Sequence, residues 1–414
     1  MTRDLPPDWE WATLGEIGHY QNGRAFKKDD WKETGRPIIR IQNLTGSGNS
    51  HNRFQGEVDD KHLVRDGDLL VSWAATLGVY VWRGEEAVLN QHIFKVDSRI
   101  CMAFHRWLLQ HVIDDLYGQA HGSGMVHITK GKFESTPVPI PPLEEQSRIV
   151  AAIEEHFSRL DAVESTQRQI IRKIDILKSS LLADAFRMNG DLPPGWQQKT
   201  IGEVAQVQLG RQRSPQHHSG PQMRPYLRSA NVTWEGISLD DVKQMNFDDA
   251  DFETYRLEPG DLLLNEASGS PGEVGKPAIW DGEIESCCFQ NTLLRIRTAE
   301  IDIKYLYWYC FASALSGRFG DAGRGVNIRH LGKRGLSQFS IPIAPSEEQG
   351  EIAVRLDQQF EQAKRLKQTA QLVLGRVTAL RRAVLAQAFS GRFVPQDPND
   401  EPASALLERI ADSR

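Results

Sequence analysis

The chain has 414 residues, 40% hydrophobic and 25% charged, enough to bury real cores and too many for one average domain, so two domains are expected. No N-terminal stretch has the basic, apolar and small-residue parts of a leader, and no window approaches the roughly 20 apolar residues that span a bilayer, so a cytoplasmic location is expected. A net charge of -6 excludes indiscriminate nucleic-acid binding, since a phosphate backbone attracts clustered Lys and Arg, and any DNA-binding charge must be local.

In chain order, residues 1–145 read as a first globule. It opens on Leu5-Pro6-Pro7-Asp8-Trp9 and Leu14-Gly15-Glu16-Ile17, then mixes short apolar runs such as Leu69-Leu70-Val71 with Gly, Asn and Asp turn signals. That pattern predicts an irregular, strand-rich α+β globule. It closes on Val138-Pro139-Ile140-Pro141-Pro142-Leu143-Glu144-Glu145-Gln146. Residues 146–190 then predict a helical spacer, with a heptad stripe at Ile153, Leu160, Val163, Ile170, Ile174, Leu177 and Leu181 that only Gln167 breaks.

At Leu192-Pro193-Pro194-Gly195-Trp196 the chain begins again, at an offset of 187. Pro37-Ile38-Ile39-Arg40 reappears as Pro225-Tyr226-Leu227-Arg228, and Gly67-Asp68-Leu69-Leu70 as Gly260-Asp261-Leu262-Leu263. By Ile341-Pro342-Ile343-Ala344-Pro345-Ser346-Glu347-Glu348-Gln349 the offset is 203, so the second copy carries 16 more residues, placed in loops. The second globule spans 191–346. A second helical spacer spans 347–393, with Leu356, Ala363, Leu366, Ala370, Val373, Val377, Leu380 and Val384 in the same register, and a tail follows over 394–414. Each spacer runs nearly 40 residues without Pro, roughly 55 to 60 Å at about 1.5 Å per residue. A helix that long overshoots its own globule and needs a partner along its length. Connectivity then predicts two helices packed as an antiparallel coiled coil in a pseudo-two-fold chain. Such symmetry matches duplex DNA, where equivalent elements sit on two half-sites. Because the globules differ in sequence, the half-sites should differ as well.

The two openings, the two P-I-x-x-x-E-E-Q exits, the helix ends Leu182-Ala183-Asp184-Ala185-Phe186 and Leu385-Ala386-Gln387-Ala388-Phe389, and the tail around Ala403–Ile410 resemble the specificity subunit of type I restriction-modification enzymes. The resemblance covers nearly the whole chain. It implies two target recognition domains reading the halves of a bipartite asymmetric DNA target, and helices that dock two methylation subunits, which methylate adenine N6. It also implies that S-adenosylmethionine binds the methylation subunit, that ATP and Mg bind restriction/translocase subunits, and that this chain carries no cofactor. The partner and helix interface is then expected at Leu160, Ile170, Ile174, Leu177, Leu181, Leu366, Val373, Val377, Leu380 and Val384.

Phosphate contacts need Lys, Arg or backbone amides, and base reading needs forked or amide side chains. Matched loops supply both. Arg24, Lys27 and Lys28 follow Gly23 as Arg211 and Arg213 follow Gly210, and Arg40, Gln42 and Asn43 match Arg228 and Asn231. Late in each globule, His127 and Lys130 correspond to Arg324, Asn327 and Arg329, while Ser72 and Asn265 end matched strands. Trp73, Gln91 and Asn291 are open to a core reading.

Catalytic motifs are not apparent. There is no G-x-x-x-x-G-K-[ST] for a nucleotide triphosphate, and Pro6-Pro7 and Pro193-Pro194 lack the residues of an adenine-holding tetrapeptide. Cys101, Cys287, Cys288 and Cys310 have no metal-ligand spacing and read as reduced core thiols. A non-catalytic binding subunit is therefore expected. A self-contained DNA-modifying enzyme and a duplicated protein-scaffolding adaptor are the alternatives.

Overall fold

The computed structural model describes residues 5–48, 50–74, 76–119, 129–188, 191–268, 273–322 and 329–413. The fold is α+β and divides into two compact units, residues 1–167 with 372–414, and residues 168–371. The long helices Leu143–Ala185 and Ser346–Ala388 are each shared between the units, so the compact units do not follow chain order.

In unit one, Gly18–Asn22, Ile93–Ser98, Leu69–Ser72 and Gly78–Val81 form an antiparallel sheet in that spatial order. A second sheet orders Arg53–Phe54, Arg36–Ile39, Ala87–Leu89 and Leu63–Val64, with Ile38 and Ile39 running parallel to Val88 and Leu89. Strand Leu69–Ser72 is buried on both faces, which explains its unbroken apolar run. Helix Met102–Gln119 buries Phe104, Leu108 and Leu109 in the main core. Beneath it, fully buried His105 accepts or donates between the Tyr20 hydroxyl and the Ser98 hydroxyl, both at 2.8 Å. Burial pushes the His105 imidazole down to about 3 and the Tyr20 phenol up.

Unit two repeats the plan. Gln206–Leu209, Leu293–Arg297, Asp261–Asn265 and Pro277–Trp280 form the first sheet, and Lys243–Asn246, Met223–Leu227 and Cys288–Phe289 the second. Burial pushes the Cys287 and Cys288 thiols up to about 12, as expected of inert core thiols. Elements without a match among the described residues of unit one include the hairpin Val232–Thr233/Gly236–Ile237 and the short helix Asp249–Tyr255, which is N-capped by Asp248 and lies within the longer loops of this copy.

The joint between globule and helix explains both repeated motifs. In unit one the Trp9 indole donates to Glu145 (3.0 Å), and Gln146 receives Cys101 N–H (3.0 Å) while donating to Pro141 O (3.1 Å). In unit two Trp196 donates to Glu348 (2.9 Å), and Gln349 receives Asp302 N–H (2.9 Å) while donating to Ala344 O (2.8 Å). Both glutamines are buried with amide oxygen and nitrogen each paired, as a buried amide requires. Glu16 on Thr13 and Glu203 on Thr200 cap the first turn of each copy in the same way. Only unit one carries the tail, where Gln396 also donates to Glu145, Asp400 pairs with Arg148, and helix Ala403–Asp412 buries Leu406 and Ile410.

The helix seam corrects the expected register. Protected positions on the first long helix fall at 153, 157, 160, 164, 167, 171, 174, 178, 181 and 185, and on the second at the same places plus 203. Ile174 (6%) and Val377 (3%) are buried, and Leu160, Leu181, Val373 and Val384 are half-buried. Ile170 (36%), Leu177 (51%), Leu366 (59%) and Leu380 (52%) are exposed, as is Val163. The reason is that several seam positions are polar. In unit one Arg381 reaches Asp161 and Glu164 (3.0 Å to the latter) with its guanidinium over Phe157. In unit two Lys367 pairs with Asp175 (2.8 Å) and Lys178 sits over Phe360. In unit two the partners ascend from Asp175 to Lys178 on one helix as they descend from Lys367 to Phe360 on the other, so the packing is antiparallel.

Candidate nucleic-acid interface

At one edge of each unit four chain segments meet because their backbones hydrogen-bond to one another. In unit one Gly23 N–H donates to Ile93 O, Arg24 N–H to Leu89 O, Asn90 N–H to Ile39 O, and Trp73 N–H to His92 O. In unit two Gly210 N–H donates to Leu293 O, Arg211 N–H to Phe289 O, Gln290 N–H to Leu227 O, and Glu266 N–H to Thr292 O. The set is the same bond for bond. Both glycines are required by closeness: a Cβ at Gly23 would lie 2.3 Å from Leu89 O, and one at Gly210 2.2 Å from Gln290 O. The loops after these crossing points carry most of the residues expected to touch DNA.

In unit one Arg24, Lys27, Lys28 and Arg40 stand free of carboxylates. The Arg24 guanidinium lies over Phe26 (4.9 Å) and Phe54 (4.7 Å), and that of Arg40 over Trp31 (5.4 Å). Lys27 and Lys28 are exposed on a turn held by Asp30, which accepts Lys27 N–H at 2.7 Å. Among the described residues none of these four forms an ion pair. Gln42 is exposed on the turn Ile41–Leu44. Asn43 is committed to that turn: its carbonyl accepts Arg40 N–H (3.0 Å) and its amide donates to Ser50 O (3.0 Å). Ser72 is fully buried and donates to Thr76 O (2.6 Å), so it shapes a hairpin rather than facing outward. Lys130 opens the short helix Lys130–Glu134 and pairs with Glu134 at 3.5 Å.

In unit two the equivalent cations are held internally. Arg211 is 8% exposed, pairs with Asp251 (2.5 Å), donates to Asn246 O, and lies over Phe247. Arg228 pairs with Asp241, whose carboxyl the Lys243 ammonium, with Arg228 beside it, holds below the usual range. Asn231 repeats Asn43, accepting Arg228 N–H (3.0 Å) and donating to Ser238 O (3.0 Å). Asn265 is buried at the end of its strand. Arg213 is exposed, its Nε donating to His218 at 3.1 Å. Asn43, Ser72, Arg211, Arg228, Asn231 and Asn265, all expected at the DNA, thus each have a partner within the fold or a buried position. His127, Arg324 and Asn327 lie outside the described residues, and of Arg329 only the backbone is described, paired with Ser268.

Sequence reasoning passed over several exposed groups. Gln91, open to a core reading, is exposed beside exposed His92, and Trp73 packs between His92 and Phe94. Lys333 and exposed Arg334 sit on the helix Gly332–Ser337. The signal was available, since Lys333 is Lys130 plus the offset of 203 already fixed by the exit motif. Among the described residues no group of His, Cys, Asp and Glu could hold a metal ion, and no helix is long and apolar enough to cross a membrane.

Comparison with known proteins gives a consistent result. The family described as "type I restriction modification DNA specificity domain" matches residues 6–173 and again 193–373. The type I restriction enzyme EcoBI specificity subunit of Escherichia coli is 21% identical, over 98% of this chain and 92% of its own length. The EcoKI specificity subunit of Escherichia coli K12 is 25% identical over 71% and 67%. Among solved structures, a chain from a study of complex assembly and conformational transition in a type I R-M system superposes with a TM-score of 0.74 at 22% identity, covering 94% of this chain and 99% of that one. The HsdS subunit from Thermoanaerobacter tengcongensis gives 0.52 at 22% identity, with the same coverage.

Proposed function

Because the chain belongs to the type I restriction-modification DNA specificity family, we propose that each of its two converging edges reads one half of a bipartite, asymmetric DNA target. The observation that carries this reading is the edge itself: one backbone crossing built twice, bearing loops whose side chains differ between copies. A shared scaffold sets the approach to the duplex, and divergent side chains set the bases. In unit one Arg24, Lys27, Lys28, Arg40 and Gln42 are the contacts favoured by exposure and charge, and in unit two Arg213.

The apolar stripe on each long helix, at exposed Val163, Ile170 and Leu177 and again at exposed Leu366 and Leu380 with half-buried Val373 between them, is where two methylation subunits dock. Apolar side chains at heptad spacing on an otherwise polar helix fit a partner helix. Chemistry then belongs to the partners. The methylation subunits bring S-adenosylmethionine to adenine N6, restriction subunits bring ATP and Mg, and this chain acts as a non-catalytic cytoplasmic subunit. The test is to co-express the chain with its methylation subunit and map methylated adenines. A split asymmetric motif that appears only with this chain supports the reading. Methylation unchanged by its removal, or S-adenosylmethionine uptake by the isolated chain, overturns it.

A further inference from the structure

The matched loops differ in where their positive charge goes. Arg24 and Arg211 occupy the same crossing, and both guanidiniums lie over a ring, Phe54 in one unit and Phe247 in the other. Only in unit two does a carboxylate complete the arrangement. Asp251 comes from the helix Asp249–Tyr255, which unit one lacks; Asp249 of the same helix meets Arg224 at 3.5 Å, and Asp241 meets Arg228. Between residues 232 and 258 the chain carries eight acidic residues against Lys243 and Arg256, a local excess with no counterpart at the unit-one edge.

A guanidinium paired inside the fold contributes little field at the surface and releases no counterion on meeting a phosphate, whereas an unneutralised one does both. Resting on the DNA-reading function above, we propose that the two recognition domains grip DNA unequally. Unit one holds the phosphate backbone through Arg24, Lys27, Lys28 and Arg40. In unit two Asp251 of the acidic helix neutralises Arg211 and Asp241, ahead of that helix, neutralises Arg228, and that half-site is read with little electrostatic grip. Unit one is then the anchoring domain and sets most of the salt dependence of binding.

The experiment is a salt titration of the full-length chain on a labelled 30-base-pair duplex of arbitrary sequence, read by fluorescence anisotropy. Replacing Arg24, Lys27, Lys28 and Arg40 by Gln should lower the slope of log affinity against log salt by roughly 3.6, at about 0.9 per phosphate contact. K27Q/K28Q alone, at exposed positions with no partner to lose, should lower it by roughly 2. R228Q should leave it unchanged. D249N/D251N, which frees Arg224 and Arg211, should steepen it. Equal losses from R228Q, or a larger loss from R324Q/R329Q than from the unit-one set, would overturn the unequal grip while leaving DNA reading intact. A wild-type chain that binds no duplex at low salt would overturn the DNA-reading function itself.

Discussion

The joints and the reading edges of the two units repeat in opposite ways. At the joint both geometry and side chains recur: Trp9, Glu145 and Gln146 reappear as Trp196, Glu348 and Gln349 with the same bonds, matched to about 0.3 Å. At the edge the backbone crossing and the residues that brace it recur while other side chains do not, with Trp73 matched by Glu266 and Gln42 by Ala230. Repetition of side chains marks what the scaffold needs; repetition of backbone without them marks what recognition varies.

The joint is the place to break this comparison hardest. Trp9→Ala and Trp196→Ala each remove a buried indole and its hydrogen bond to a carboxylate, buried Glu145 in one unit and half-buried Glu348 in the other, at an expected cost of about 3–5 kcal/mol to the unit concerned, measurable by urea denaturation. Equal, small effects at both would mean that the repeated motif does not hold globule to helix. The helix offers a sharper contrast between near neighbours. Ile174→Asp places a charge in a seam and should cost roughly 2–5 kcal/mol, whereas Leu177→Asp, half exposed, should leave chain stability within about 0.5 kcal/mol and abolish assembly with methylation subunits. Size-exclusion chromatography of the co-expressed complex separates the two outcomes.

At the edges, Gly23→Ala and Gly210→Ala force a methyl against carbonyl oxygens and should each cost roughly 1–3 kcal/mol. Each should weaken recognition of one half-site and spare the other. A change in both halves would show that the edges are not independent. The smallest effect is confined to unit one. His105 is buried neutral with its pKa pushed down to about 3, so the unfolded chain takes up a proton below about pH 6.5 that the folded unit refuses. Stability is complete above that pH and falls as pH drops toward the folded value. Unit two has Leu306 at the matching place, four residues after Asp302 as His105 is four after Cys101. Denaturation at pH 7 and pH 5.5 should show a loss that the double variant Tyr20→Phe/His105→Leu removes.

The duplication, the strand-rich globules and the long helices were legible because each leaves a signal along the chain: a gapless motif, a turn-rich stretch, a heptad. The seam was misplaced by one residue at 163, 170 and 177 because an apolar count cannot see that Glu164, Lys178, Lys367 and Arg381 occupy the interface through their stems and ion pairs. Asn43 and Asn231 looked like base readers, yet their identity in both copies was itself the sign of a shared structural task. The fate of Arg211 was not legible at all, since Asp251 lies 40 residues away on a helix with no counterpart in the first copy.

The central claim is that each recognition domain reads its own half-site on a common scaffold, and exchanging domains at the matched joints tests it most directly. Residues 192–344 of the full chain would be replaced by a second copy of residues 5–141, leaving both helices and the tail in place. Methylated adenines would then be mapped with the methylation subunit present. The account predicts that the split asymmetric motif becomes symmetric, built twice from the half-site of the first domain. Persistence of the original asymmetric motif would contradict it.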